Sequence, residues 1–87
     1  MAYKIDFEEN ASRVFDGLDK STQKLIAKFL DRCELMENPR CFGKALRHNL
    51  DGLWRYRIGK YRLIANICDN ILLILIVDVG KRDKIYS

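Results

Sequence analysis

Three arginines lie close together in the second half of the chain, at positions 55, 57 and 62. An arginine side chain is a planar fork of N–H donors that can bind two oxygens of a phosphate at once. Its pKa lies above about 12, so it is a poor base at neutral pH. Arginines in this arrangement therefore indicate phosphate binding, or stabilisation of the charge that develops during phosphoryl transfer.

A tight turn determines where these side chains point. Gly59 and Lys60 separate two strand-like segments and fit a two-residue turn of type II′, whose leading residue has a positive φ. This turn pairs Ile58 with Tyr61, and therefore Arg57 with Arg62. Because side chains alternate along a strand, two faces are expected. One carries residues 53, 55, 57, 62, 64 and 66, and the other carries residues 54, 56, 58, 61, 63 and 65.

Arg57 and Arg62 would repel each other across the two strands, and neither strand contains an acidic residue. We therefore expect an anion between them, and phosphate suits their donors best. The alternative is a solvated face on which the arginines splay apart. Further basic residues that follow the last strand, Lys81, Arg82 and Lys84, favour the anion site.

Two other side chains could contribute acid–base or stacking chemistry. His48 is the only histidine, lies near Lys44 and Arg47 in a predicted loop, and titrates close to neutral pH. A single loop histidine can equally be exposed without a chemical role. Tyr86 could stack on a base or donate a proton. It could also be frayed, since it lies next to the last residue.

Hydrophobic spacing predicts the elements that position these residues. Alternation over residues 3–7 predicts a strand, and apolar residues at 11, 14, 15 and 18 predict a helix that ends near Gly17–Asp19. Asp19 or Ser21 can cap a second helix, whose apolar stripe is Leu25, Ile26, Phe29, Leu30, Cys33 and Met36. Pro39 ends this second helix.

The remainder of the chain predicts a loop and three strands. The loop covers residues 39–52, and the strands cover 53–58, 61–68 and 71–79. Asp69 and Asn70 form a second two-residue turn, and Gly80 ends the last strand. This order predicts an α+β fold: an N-terminal strand, a two-helix hairpin, and an antiparallel three-strand meander. The helices cover one face of the sheet and leave the other for function.

Length and charge narrow the function classes. The 87 residues form one domain, 1–87. Residues 39–87 contain ten Lys/Arg against four Asp/Glu, whereas residues 1–38 contain six against eight. The concentrated positive charge favours a polyanionic partner, nucleic acid first or an acidic protein.

Three cysteines without a C-x-x-C pair form neither a disulfide framework nor a zinc motif, so a reducing cytoplasm is the expected location. The longest apolar run, residues 71–77, is too short to cross a membrane. The aspartates at 51, 69 and 78 are too far apart in sequence to suggest a metal site, so we expect no metal and no cofactor.

Two motifs resemble a known family. The segment from Lys44 to Ile64 resembles the core of the RelE/ParE toxins, K-x-L followed by G-L-W-R-Y-R-V-G-D-Y-R-V-I. The tail from Val79 to Tyr86 is similar to the closing motif of that family, G-H/K-R-x-x-V-Y. The opening strand and helical hairpin fit the same plan, so the resemblance covers nearly the whole chain.

The resemblance implies a fold like that of the small microbial ribonucleases, and a partner, a cognate antitoxin that wraps the toxin. For the RelE branch it implies cleavage of mRNA in the ribosomal A site by attack of the RNA 2′-OH, without metal. By position, Arg62 corresponds to the transition-state arginine, Arg82 to the arginine at the leaving group, and Tyr86 to the tyrosine that orients substrate. RNA binding is expected from basic residues on and near the sheet: Lys44, Arg47, Arg55, Arg57, Lys81 and Lys84.

Arg55 and Arg57 depart from the family, because a well-known member has lysines with acid–base roles there. Arginines at these positions would instead clamp phosphate. The identity of the general base then stays open: a ribosomal group, His48 or Lys44. Lys81 also replaces a histidine common in the closing motif. Two alternative functions remain: a ParE-like inhibitor of DNA gyrase, and a degenerate toxin that only binds its antitoxin.

Overall fold

A computed structural model describes residues 2–47 and 52–81. The chain begins with strand β1 (Lys4–Phe7) and continues through helices α1 (Glu9–Asp16), α2 (Lys20–Leu30) and α3 (Cys33–Glu37). Four strands follow: β2 (Lys44–Ala45), β3 (Trp54–Ile58), β4 (Tyr61–Cys68) and β5 (Leu73–Lys81). They form one sheet in the order β1-β5-β4-β3-β2, in which only the β1–β5 pair is parallel. The predicted α+β class is confirmed.

The helices cover one face of this sheet, as predicted. Residues that alternate along β3, β4 and β5 point towards them and form the core with the inner sides of the helices. The largest side chains that are fully buried are Tyr56, Ile26, Leu35, Leu63, Ile74 and Ile76. Burial of each aliphatic side chain stabilises the fold by about 2 kcal/mol, so this contact fixes the helical hairpin on the sheet. No helix in the two described ranges is long and apolar enough to cross a membrane.

Asp19 caps α2. Its carboxylate accepts hydrogen bonds from the Thr22 backbone N–H and from the hydroxyls of Ser21 and Thr22. These donors, first of all the Ser21 hydroxyl, lower the pKa of Asp19 to about 2. Of the two predicted caps, Asp19 is therefore the one that holds the helix start.

The predicted second helix was wrong in its extent, because it is broken into α2 and α3. Asp31 ends α2 and Arg32 is extended, with φ −71° and ψ 131°. A continuous helix would have carried the stripe of Ile26 and Leu30 on to Cys33 and Glu34. The break instead turns Leu35 into the core and leaves Cys33 exposed, which corrects the prediction for that thiol. Leu25, also predicted for the stripe, is 48% exposed.

Two connections and the limits of the last strand also differ from the sequence-based expectation. The predicted loop 39–52 contains the short strand β2, which pairs with Trp54 and Arg55. The predicted two-residue turn at Asp69–Asn70 is a 3₁₀ turn, Asp69–Ile71, followed by Leu72 in the left-handed conformation. The last strand therefore starts at Leu73, and it runs through Gly80 to Lys81 because both residues still pair with β4.

Asp69 holds three distant segments together. Both of its carboxylate oxygens accept hydrogen bonds from Arg40 at 3.0 Å, and Oδ1 also accepts from the Tyr3 hydroxyl at 2.6 Å. This clip joins the start of β1, the loop after α3 and the β4–β5 connection. The Arg40 hydrogen bonds, followed by that of Tyr3, lower the pKa of the Asp69 carboxyl. Its use as an acceptor explains why the β4–β5 turn is longer than two residues.

Because the hydrogen bonds from Arg40 and Tyr3 lower the pKa of Asp69, we expect their contribution to the free energy of unfolding to depend on pH. A carboxyl whose pKa is lower in the folded state stabilises above its unfolded pKa of about 3.9, and this contribution is lost as pH falls through the folded value. We expect Asp69→Asn to lower the urea midpoint of unfolding by a constant amount from pH 5 to 8. Below pH 4 the difference from the wild-type protein should shrink.

An Arg40→Gln background provides the control, because it removes the guanidinium hydrogen bonds that contribute most to lowering the pKa of Asp69. In that background, Asp69→Asn should lose most of its pH dependence. A difference between wild type and Asp69→Asn that stays constant down to pH 2 would contradict this role.

Candidate phosphate-binding face

The β3–β4 hairpin has the turn and register that the sequence predicts. Gly59 has a φ of +58° and Lys60 does not have a positive φ, which is the pattern of a type II′ turn. The register pairs Arg57 with Arg62 and Ile58 with Tyr61. The alternation of faces along both strands is thereby confirmed. Arg55, Arg57 and Arg62 all lie on the side of the sheet away from the helices.

Two cross-strand rows make up this side of the sheet. In the first, Lys44 of β2 lies opposite Arg55, which lies opposite Ile64. In the second, Arg57 lies opposite Arg62, which lies opposite Gly80. The rows are two residues apart along β3, or roughly 7 Å. We name the four cationic residues Lys44, Arg55, Arg57 and Arg62 the basic face.

The members of the basic face differ in burial. Arg57 and Lys44 are exposed and Arg55 is half-buried, whereas Arg62 is only 7% exposed. Charged side chains are seldom buried to this extent. A buried guanidinium is held in place by its surroundings, so its donors are oriented before a ligand arrives. The Arg62 guanidinium is therefore held more firmly than that of Arg57, which is exposed to solvent.

A carboxylate lies on the same side of the sheet, which the sequence analysis missed. Asp78 of β5 is paired with Ile64, and it is therefore one row away from Arg62. The register of β4 and β5 shifts between Ile64 and Ala65, so that Val77 is the extra residue of a β-bulge. Because of this bulge Val79 enters the core and Asp78 faces outward. Asp78 offsets part of the positive charge without standing between Arg57 and Arg62.

The loop before β2 is fastened to β3 from the core side. The buried Tyr56 hydroxyl donates to the Pro39 carbonyl at 2.5 Å, and the Trp54 indole N–H donates to the Phe42 carbonyl at 2.7 Å. Burial raises the pKa of the Tyr56 hydroxyl, so it remains a donor at physiological pH. Gly43 then turns the chain with a φ of +79°, close against the carbonyl of Arg55. These contacts place Lys44 beside Arg55.

Other predicted site residues lie elsewhere or outside the described residues. Lys81 is exposed and paired with Tyr61, which puts it on the helix side of the sheet and not beside the arginines as expected. Arg47 is exposed just after β2. The remaining candidates fall outside the described residues, and their roles stay predictions: His48, Arg82, Lys84 and Tyr86. In the part of the chain that is described, no group of three His, Cys, Asp or Glu side chains could hold a metal ion.

Comparison with known proteins identifies relatives along nearly the full chain. A profile of the family described as the ParE toxin of type II toxin–antitoxin systems, parDE, matches residues 5–86. The chain is 34% identical over 85 residues to a RelE-like toxin protein of Escherichia coli, covering 97% of this chain and 87% of that protein. It is 31% identical over 90 residues to the mRNA interferase toxin RelE of Escherichia coli strain K12, covering 100% and 93%.

Solved structures agree with this match. The fold is similar to a chain of the toxin–antitoxin complex RelBE2 of Mycobacterium tuberculosis, with a TM-score of 0.82 and 29% identity over 94% of this chain and 100% of that one. It is also similar to a chain of the intact RelBE complex of Escherichia coli, with a TM-score of 0.77 and 28% identity over 92% and 96%. The fold and the profile define a toxin of a type II toxin–antitoxin system. The chain belongs to the ParE toxin family, and the relatives described above carry the name RelE.

Proposed function

We propose that this protein is an endoribonuclease that cleaves mRNA in the ribosomal A site. The observation that carries the proposal is the Arg57–Arg62 pair, two arginines at directly opposite positions of neighbouring strands, with Arg62 buried. Such a pair fits the oxygens of one phosphate. The name of the Escherichia coli relative, mRNA interferase toxin RelE, supports the choice of mRNA as the target.

The reaction that suits these groups is an internal phosphoryl transfer. The RNA 2′-OH attacks the adjacent phosphorus and loses its proton, while the bond from phosphorus to the 5′ oxygen breaks. The 5′ oxygen takes up a proton and leaves as a 5′-OH, and a 2′,3′-cyclic phosphate remains. Negative charge grows on the non-bridging oxygens in the transition state, and fixed cations stabilise it without a metal.

All but one of the predicted residues have a place in this proposal. Arg62 stabilises the transition state, and Arg55 and Arg57 clamp the phosphate. Arg82 assists the leaving oxygen and Tyr86 orients the substrate. Phosphates further along the RNA are bound by Lys44, Arg47 and Lys84, whereas Lys81 lies on the helix side of the sheet and has no part in this proposal. The base that accepts the 2′-OH proton is a ribosomal group, His48 or Lys44.

The proposed protein partner is a cognate antitoxin, and the proposed location is the cytoplasm, where ribosomes act. The structures of the RelBE relatives are complexes of a toxin with an antitoxin, which supports this partner. The net charge of +4 favours an acidic or amphipathic antitoxin segment. Binding of that segment over the basic face would block access of RNA.

The test is a coupled translation reaction with purified protein, in which mRNA 5′ ends are mapped by primer extension. We expect cuts inside codons that require ribosomes and that disappear when the antitoxin is added. The same mRNA incubated with the protein but without ribosomes is the control, and it should stay intact.

Uncut mRNA in the translating reaction would refute the nuclease. Trapped, cleaved DNA in a gyrase assay would then establish the ParE-like alternative, which the matching family profile favours as the second candidate. If both assays are negative and the protein still binds its antitoxin, the remaining alternative is a degenerate toxin that only binds the antitoxin.

A further inference from the structure

A pocket lies at the edge of the basic face. At this edge β3 extends beyond the two residues that pair with β2. The pocket has a volume of about 250 Å³. It is lined by the aromatic residues Phe29, Phe42 and Tyr56, by Gly43, and by three basic residues, Lys44, Arg55 and Arg57. We call Phe29 and Phe42 its apolar wall and the three basic residues its cationic rim. The pocket thus joins two rings to three of the cations that the proposed function assigns to RNA phosphates.

The wall of this pocket is held firmly. The Phe42 ring meets Phe29 edge-on, with centroids 5.6 Å apart, and the Arg32 guanidinium lies 4.5 Å from the centre of the Phe42 ring. The Phe42 carbonyl accepts the Trp54 indole hydrogen bond, which fixes the backbone of the same residue. A preformed apolar wall costs little conformational entropy when a ligand binds.

We propose that this pocket binds one nucleobase of single-stranded RNA while adjacent phosphates lie on the basic face. Proteins that bind single strands combine a cationic track for phosphates with aromatic side chains that contact the bases. Its volume of about 250 Å³ is small, which suits one base and not a longer segment. The inference rests on the proposed function and adds to it a contact with a base.

The cations on the rim determine the choice of occupant. A base carries its own phosphate on each side, so a nucleotide supplies both the flat apolar group for the wall and the negative charge for Lys44 and Arg57. A plain apolar side chain would contact the apolar wall and bring no negative charge to Lys44 and Arg57. RNA is therefore the ligand that matches both the apolar wall and the cationic rim of the pocket.

The test compares two oligomers with equal numbers of phosphates. One is a 2′-O-methyl hexauridylate, which lacks the attacking 2′-OH and is not cut, and the other is its counterpart without bases. Binding is followed by anisotropy and by the fluorescence of Trp54, the only tryptophan in the chain, which is hydrogen-bonded to Phe42. We expect the wild-type protein to bind the oligomer with bases about tenfold more tightly, and its tryptophan fluorescence to be quenched.

Phe42→Leu tests whether the apolar wall of the pocket contacts the base, and Phe15→Leu is its matched control. Phe15 packs against Phe7 at the far end of the helical layer and does not line the pocket. Phe42→Leu should lose most of the preference for bases and keep its affinity for the base-free oligomer. Phe15→Leu should keep the wild-type preference.

Equal binding of both oligomers by the wild-type protein would overturn the base site, even if Phe42→Leu did not fold. Failure of both oligomers to bind would overturn it as well. The coupled translation assay then tests the proposed function separately, because cleavage without a preference for bases refutes only the pocket. A preference that survives in folded Phe42→Leu would also overturn the proposal.

Discussion

Replacing Arg62 with alanine is expected to lower ribosome-dependent mRNA cleavage by about a hundredfold. The side chain is buried on the basic face opposite Arg57, where it can meet the phosphate oxygens that gain charge in the transition state. Removal of one oriented donor of this kind costs on the order of 3 kcal/mol of transition-state stabilisation. The measurement is the initial rate of appearance of cut 5′ ends in the coupled translation reaction.

Two further variants make the Arg62 result interpretable. Arg62→Lys keeps the charge and loses the two-point geometry, so a rate between those of wild type and alanine is expected. Arg13→Ala changes an arginine on α1 whose ion pair with Glu9 is exposed, and it should cleave normally. Thermal melts would confirm that Arg62→Ala is folded at the assay temperature. A folded Arg62→Ala that cleaves within threefold of wild type would rule out the transition-state role.

Gly43→Ala should cause the largest loss of stability among the glycine variants, about 3 kcal/mol. A Cβ at this position would lie 2.1 Å from the Arg55 carbonyl oxygen and 2.9 Å from the Trp54 indole nitrogen. Backbone must therefore move, which breaks the β2–β3 pairing or the Trp54–Phe42 hydrogen bond at about 1–3 kcal/mol. The left-handed conformation adds roughly 1 kcal/mol for a residue with a side chain.

Gly52→Ala separates these two causes. Gly52 has a similar φ of +71°, but among the described residues an added Cβ would meet no heavy atom within 4 Å. It should therefore lose only the conformational part, about 1 kcal/mol. Urea unfolding of both variants gives the comparison. Equal losses would show that the close approach to Arg55 is relieved without cost and that β2 is not held by it.

The part of the candidate site that could be predicted depends on local geometry alone. A glycine-led two-residue turn fixes the register of its hairpin, and alternation then decides which face each arginine takes. The pairing of Arg57 with Arg62 needs no knowledge of the rest of the molecule. The same reasoning does not extend to His48, Arg82, Lys84 or Tyr86, which lie outside the described residues.

The features that the sequence did not reveal depend on contacts between distant segments. The break at Asp31 and Arg32 brings Leu35 into the core, and the apolar spacing alone favours an unbroken helix. Asp69 is drawn into its long turn by Arg40, 29 residues away. The β-bulge at Val77 reverses the alternation in the last strand, which turned Asp78 outward against the expected pattern. Strand β2 pairs with β3 directly after Gly43, where the backbone comes close to the Arg55 carbonyl.

The position of β5 inside the sheet has a consequence for how the protein is made. β1 pairs with β5, joining Lys4 to Leu73, and β5 also pairs with β4. β1 therefore has no neighbouring strand in the sheet until β5 has been synthesised. Until β5 leaves the ribosome, α1 lacks the strand it packs on, and Ile74 and Ile76 are missing from the core. A long-range closure of this kind is slow to form. A ribosome can therefore complete nearly the whole chain before the folded toxin exists.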